Sequence, residues 1–192
     1  DGTRSALATL RSRFKARCSR VTLSHHDYGF SLPPGVPRWE PSLQLMRRKV
    51  LARARNRLLM TALHDEDWVL WIDADMVGYP RDIIRTLIAT GFDIVTPHAV
   101  TTPGGKSFDR NAWTDQGRIY LEDRRGTGAI RLDSVGGTML LVRADLHRDG
   151  LVFPPFPYGM RSPRIRETTV WGAGEIETEG LGIMAADMGI QC

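Results

Sequence analysis

A short apolar run, Trp68-Val69-Leu70-Trp71-Ile72, stops at Asp73-Ala74-Asp75-Met76, and its neighbours limit the folds open to the chain. Before it, Leu43, Met46, Val50, Ala54, Leu58 and Ala62 recur at helical spacing, so Ser42 to Leu63 reads as a long helix with one buried stripe. After it, Pro80 opens a helix whose Ile83, Ile84, Leu87 and Ile88 face inward, with Gly91 in the capping place. Phe92 to Thr96 then reads as another strand, and the apolar run itself as a buried one. Strands and helices alternating in this way predict an α/β fold, with a mainly parallel, doubly wound central sheet and helices on both faces.

The remaining pattern is consistent with one domain over residues 1–192, and 42% hydrophobic content is enough for a core. Thr3 to Cys18 has Leu7, Leu10 and Phe14 at the spacing of an amphipathic helix, and Val21 to Leu23 reads as a short strand. Pro33, Pro34, Pro37 and Pro41 forbid regular structure between them, so an ordered loop is expected there. Ile130 to Leu132 and Thr138 to Val142 read as strands, Phe153 to Pro163 as a proline-rich loop, and Glu177 to Met188 as a helix. Helices stand so close to both ends that the sequence is expected to be cut at each, with a strand before residue 1 and another after residue 192.

Composition excludes several classes. Cys18 and Cys192 are the only cysteines, too few for a disulfide framework or a cysteine-rich metal site. No stretch approaches the roughly 20 apolar residues of a membrane span. The net charge of +4 is carried almost wholly by arginine, which suits an anionic substrate. Aromatics are not interleaved with the basic residues, so no nucleic-acid partner is expected.

Asp73 and Asp75, at i and i+2 past a strand, point the same way and repel unless they share a cation or one takes a proton. Oxygen ligands favour Mg²⁺ or Mn²⁺, ions that keep positions open for substrate phosphates. A metal-bridged diphosphate at the strand's carboxyl end is the reading that position favours, over a pair of solvated loop aspartates. The basic run of the preceding helix, Arg47 to Arg57, reads by default as a solvated face. The alternative is that Gln44, Arg48 and Arg55, which share one line of it, face a diphosphate, since an arginine fork suits phosphate oxygens, and Asn56 needs a tertiary partner. Asp109, in Phe108-Asp109-Arg110-Asn111-Ala112-Trp113, is either an Asx turn or a group that meets sugar hydroxyls. Gly136-Gly137 before Thr138 permits a bulge or a close ligand approach, the bulge being the plainer reading. Glu175, Glu177 and Glu179 form a second acidic group, which a helix N-terminus favours for structural reasons alone. Gly105-Lys106-Ser107 lacks the earlier glycine of a phosphate loop, and Gly126-Thr127-Gly128 lacks the third glycine of a dinucleotide turn. His25 and His26, adjacent at a strand end, point apart and do not make a metal site.

Ala54-Arg55-Asn56, Trp68 to Asp75, Phe108 to Trp113, Asp133-Ser-Val-Gly-Gly-Thr-Met-Leu-Leu-Val142 and Glu177-Thr-Glu-Gly-Leu-Gly182 occur in this order along the whole chain. Together they resemble the fungal mannan-polymerase α-1,6-mannosyltransferases, glycosyltransferase family 62. The resemblance implies a GT-A, Rossmann-like nucleotide-diphospho-sugar transferase fold, a GDP-mannose donor, Mn²⁺, and retaining transfer to an N-linked mannan or glycan acceptor. It also implies homologous partner subunits in a mannosyltransferase complex, and a type II membrane protein of the Golgi. On the same ground Asp73 and Asp75 match the metal-binding pair, Arg55 the residue on the diphosphate, Asp109 an acid beside the sugar, and Asp27 the residue that reads the nucleoside. Glu179 is then a candidate on the acceptor side, and a histidine completing the metal site is expected beyond Cys192.

Two other readings compete. Asp73 could serve as nucleophile in a haloacid-dehalogenase-like phosphatase, with Asp75 as acid/base, but that chemistry needs a later lysine and acid pair, and only Lys106 follows. The chain could also be a non-catalytic GT-A subunit of a glycosyltransferase complex.

Overall fold

A computed structural model describes residues 2–166 and 174–192. In chain order the elements are α1 (Thr3–Lys15), α2 (Pro41–Ala62), β1 (Trp68–Ile72), α3 (Ile83–Ile88), β2 (Ile94–Val95), β3 (Trp113–Thr114), β4 (Ile119–Tyr120), β5 (Met139–Arg143), α4 (Ala144–Arg148) and α5 (Glu177–Asp187). A short 3₁₀ turn, Leu121–Arg124, follows β4.

The main sheet of the described residues has the order β1-β5-β2, with β5 antiparallel to both neighbours. The mixed α/β class holds, but the mainly parallel sheet does not. β1 and β2 run in the same direction, as a strand–helix–strand unit requires, yet β5 from later in the chain lies between them. Burial gives the reason. Met139 to Val142 are all buried, and a strand covered on both faces and both edges is the natural home for an unbroken apolar run. β1, expected to be buried, is an edge of this sheet, and its residues are only partly covered. β3 and β4 form a separate antiparallel hairpin.

Helices do cover both sheet faces. Leu140 and Val142 pack with Ala52 of α2, Leu146 of α4, and Leu181 and Ala185 of α5. Met139 and Leu141, pointing the other way, pack with Ile83 and Leu87 of α3. Ile84 and Ile88, expected inside, are exposed.

Three further expectations change. Neither Val21–Leu23 nor Ile130–Leu132 forms a strand. α1 keeps its helical pattern but buries no residue, so Leu7, Leu10 and Phe14 are exposed. In α2 the buried line runs through Arg48, Ala52 and Leu59, while Met46 and Leu58 of the expected apolar stripe face outward. Ion pairing decided that rotation: the arginines go inward because carboxylates await them. Among the described residues no helix is long and apolar enough to cross a membrane.

Candidate active site

The ladder between β1 and β5 is prolonged by Asp73 N–H, which donates to Thr138 O at 2.9 Å, so the Asp-x-Asp turn leaves the sheet from a fixed point. Facing it on α2 is Arg55. Its Nη2 donates to Asp73 Oδ1 at 3.3 Å and to Gly137 O at 3.2 Å, and its Nη1 donates to Glu177 Oε1. The guanidinium also stacks on the Phe153 ring, 5.3 Å from its centre. Asn56 is held by the same segment, since its side-chain amide exchanges two hydrogen bonds with the backbone of Phe153, at 2.8 and 2.9 Å. The mid-helix asparagine thus has the tertiary partner its position required.

Glu175, Glu177 and Glu179 are buried. Arg48, 7% exposed, donates through Nε to Glu177 Oε2 at 3.2 Å, through Nη1 to Glu179 Oε2, and through Nη2 to the carbonyl of Ile176 at 2.9 Å. Burial alone would lower the Arg48 pKa, and the two carboxylates more than reverse this, holding the guanidinium above its ordinary value. Arg166 Nη2 pairs with Glu179 Oε1 and lies 3.5 Å from Glu175 Oε2, while Trp113 Nε1 donates to Glu179 Oε1 at 3.2 Å. Glu177 occupies the left-handed region, φ 62°, a conformation that costs a non-glycine residue about 1–3 kcal/mol and persists only when its surroundings hold it.

In this network four carboxylates meet three guanidiniums: Asp73, Glu175, Glu177 and Glu179 against Arg48, Arg55 and Arg166. Only Asp73 is well exposed, its side chain at 44%, so it is the carboxylate through which this network meets solvent. Burial raises the Asp73 pKa, Arg55 pulls it back, and Asp75, Glu177 and Asp109 push it up again. Such a group gains from an added cation.

Asp109 is engaged from four sides. Oδ2 accepts from Gly137 N–H (2.7 Å), Thr138 N–H (3.0 Å) and Thr138 Oγ1 (3.0 Å), and Oδ1 accepts from Asn111 N–H (2.9 Å). Close approach at the adjacent glycines comes from side chains of the protein itself. A Cβ on Gly136 would lie 2.7 Å from Asp109 Oδ2, and one on Gly137 would lie 2.8 Å from Arg55 Nη2. The Asx turn expected as the plain reading is present, and the same carboxylate also clamps the turn before β5.

The structure thus joins Arg55, Asp73, Asp109 and Glu179 in one connected set, through Glu177, Gly137 and Arg48. Asp75 stands at its edge, paired with Arg38 at 3.1 Å. Asp27 is not in this set: Oδ1 accepts from Gly29 N–H at 2.7 Å within its own exposed turn. Arg48, read as part of a solvated face or of a line facing a diphosphate, is instead sealed between Glu177 and Glu179. Sequence reasoning missed Arg38 and Arg166, since an isolated arginine in a loop gives no periodic signal. The alternating Glu175, Glu177 and Glu179 were the available clue to buried arginine partners.

Burial raises the Glu175 pKa, Glu179 raises it further, and Arg166 opposes both. A carboxyl raised in the folded state favours folding below its unfolded value, near 4.5, and that contribution is lost as pH rises through the folded value. Glu175→Gln should therefore gain stability over the parent as pH rises from about 4.5 towards neutrality. Urea titrations at several pH values measure this, and a difference that is flat or falls with pH is the contrary result.

Residues 3–122 and 118–157 match the family model described as Anp1. The chain is 32% identical to the mannan polymerase complex subunit mnn9 of Schizosaccharomyces pombe, over 61% of this chain and 44% of that protein. It is 29% identical to the vanadate resistance protein of Candida albicans, over 88% and 43% of the two chains. With the mannan polymerase I complex VAN1 subunit of Saccharomyces cerevisiae it shares 27% identity, over 88% and 36%. It spans less than half the length of these curated relatives. Since the family match covers most of the described residues, from α1 through the end of α4, the chain belongs to the Anp1 family.

Proposed function

We propose that this chain forms the donor-binding core of a metal-dependent, retaining mannosyltransferase that moves mannose from GDP-mannose, in α-1,6 linkage, to an N-linked mannan or glycan acceptor. It would act as a subunit of a mannan polymerase complex in the Golgi, the full protein being of type II membrane topology. The observation that carries this reading is the junction at the end of β1. There a half-exposed Asp73 meets Arg55, which is fixed by Glu177, and the neighbouring Asp75 pairs with Arg38, in a chain whose relatives include mannan polymerase complex subunits.

Asp73 and Asp75 would hold a divalent ion, Mn²⁺ or Mg²⁺. Ions of this kind commonly take further ligands from substrate phosphates and water, and the histidine that the family resemblance implies would be another. When bound, such an ion neutralises charge on a departing diphosphate. Arg55 adds charge-assisted hydrogen bonds to the same group, from a guanidinium already oriented by Glu177 and the Gly137 carbonyl. Glu179 and Asp109 are positioning residues in this scheme: Glu179 secures Arg48 and, through it, Glu177, while Asp109 fixes the turn that carries Gly137.

The test is calorimetry on the full-length protein with GDP, UDP or ADP, each with and without Mn²⁺. GDP should bind most tightly, and only with the metal. Asp75→Asn should remove the metal-dependent part of the affinity and leave the unfolding midpoint unchanged, because its side chain is 51% exposed at a turn. Unaltered Mn²⁺-dependent GDP binding in that variant contradicts the metal assignment. Donor turnover by the full-length protein separates the enzyme from a non-catalytic subunit.

A further inference from the structure

Arg38 lies on the proline-rich loop ahead of α2, and its guanidinium makes two contacts. Nη1 donates to Asp75 Oδ2 at 3.1 Å, and the guanidinium carbon stands 5.3 Å from the centre of the Phe108 ring, next to Asp109. The backbone beneath it is tied to α2: Gln44 Nε2 donates to the carbonyl of Arg38 at 2.6 Å and to that of Glu40 at 3.2 Å. The side chain itself is 48% exposed.

Arg55 provides the contrast. Its guanidinium is 13% exposed and held by Glu177, Asp73, the Gly137 carbonyl and the Phe153 ring, so it cannot leave without breaking buried contacts. Arg38 can. An ion pair between two half-exposed side chains is weak and exchanges readily. A divalent ion on Asp75 would repel the guanidinium from that carboxylate, while the stack on Phe108 would keep it nearby, with its fork free for phosphate oxygens.

We propose that Arg38 is an exchangeable gate of the donor site: it occupies Asp75 when no diphosphate is present and transfers to the diphosphate when a divalent ion takes Asp75. This rests on the donor site proposed above. It further divides the arginine work between a fixed residue, Arg55, and an exchanging one, Arg38.

The experiment compares full-length wild type with Arg38→Ala in two titrations. One uses Mn²⁺ alone, with free ion followed by electron paramagnetic resonance. The other uses GDP at saturating Mn²⁺, followed by calorimetry. The gate predicts changes of opposite sign: Mn²⁺ alone binds about threefold more tightly in the variant, since Asp75 loses a competitor, and GDP binds about tenfold more weakly, since the diphosphate loses a charged donor. No change in either titration makes Arg38 a plain surface ion pair and overturns the proposal. Weakening of both makes it an organiser of its loop and overturns the gate equally, and tighter Mn²⁺ with unchanged GDP removes the transfer step. In all three cases wild-type Mn²⁺-dependent GDP binding persists. Its absence in the wild type overturns the donor-site reading, and the gate with it.

Discussion

Arg48→Ala is expected to destabilise the fold by about 3–5 kcal/mol, the range for a buried ion pair that loses one partner. Arg48 is the common partner of Glu177 and Glu179, and it also satisfies the Ile176 carbonyl where α5 begins. Without it the two carboxylates keep Arg55, Arg166 and Trp113, but no cation remains between them. The strained backbone at Glu177 loses a constraint at the same time. Arg57→Ala on the exposed side of α2 is the control, expected within about 0.5 kcal/mol of the parent. Urea unfolding should show a lower midpoint for Arg48→Ala at an unchanged slope. A loss below about 1 kcal/mol would show that water reaches the cluster and that its charges do not depend on one another.

That cluster also explains what the sequence could and could not convey. Helix positions were legible because periodicity is local: α2 and α5 begin and end within about one residue of the pattern. Strand β5 was legible because Met139 to Val142 is an unbroken apolar run. Its place between β1 and β2 was not, since strand order depends on pairing between residues far apart in the chain. The rotation of α2 failed for a related reason. Apolar periodicity assumes that the core is apolar, whereas this helix turns Arg48 and Arg55 towards the buried Glu177 and Glu179. The pair Asp73 and Arg55 was named from strand-end position and motif, and the structure brings the two within 3.3 Å. Arg38 and Arg166 lie in loops, where no period marks a partner.

The other large effect is expected at Asp109. Asp109→Ala should cost about 2–4 kcal/mol, because hydrogen bonds to a charged acceptor contribute roughly 1.5–3 kcal/mol each and do not add fully when they share one group. Three of the four donors belong to the turn that presents the Gly137 carbonyl to Arg55, so the variant should also bind GDP with Mn²⁺ less tightly. Asp109→Asn divides the two roles open to this residue. Its amide oxygen can accept from Gly137 N–H, Thr138 N–H and Thr138 Oγ1, whereas its NH₂ cannot accept from Asn111. If Asp109 is a clamp, the asparagine variant recovers most of the lost stability and, on the function proposed above, nearly all of the sugar transfer. If its charge acts on the reacting sugar, the asparagine variant folds and binds donor but transfers slowly, with kcat and kcat/KM falling together. Four satisfied contacts on a carboxylate that the glycine at 136 was shaped to admit favour the first outcome. A stable, donor-binding but inactive Asp109→Asn protein would move Asp109 from the scaffold to the chemistry.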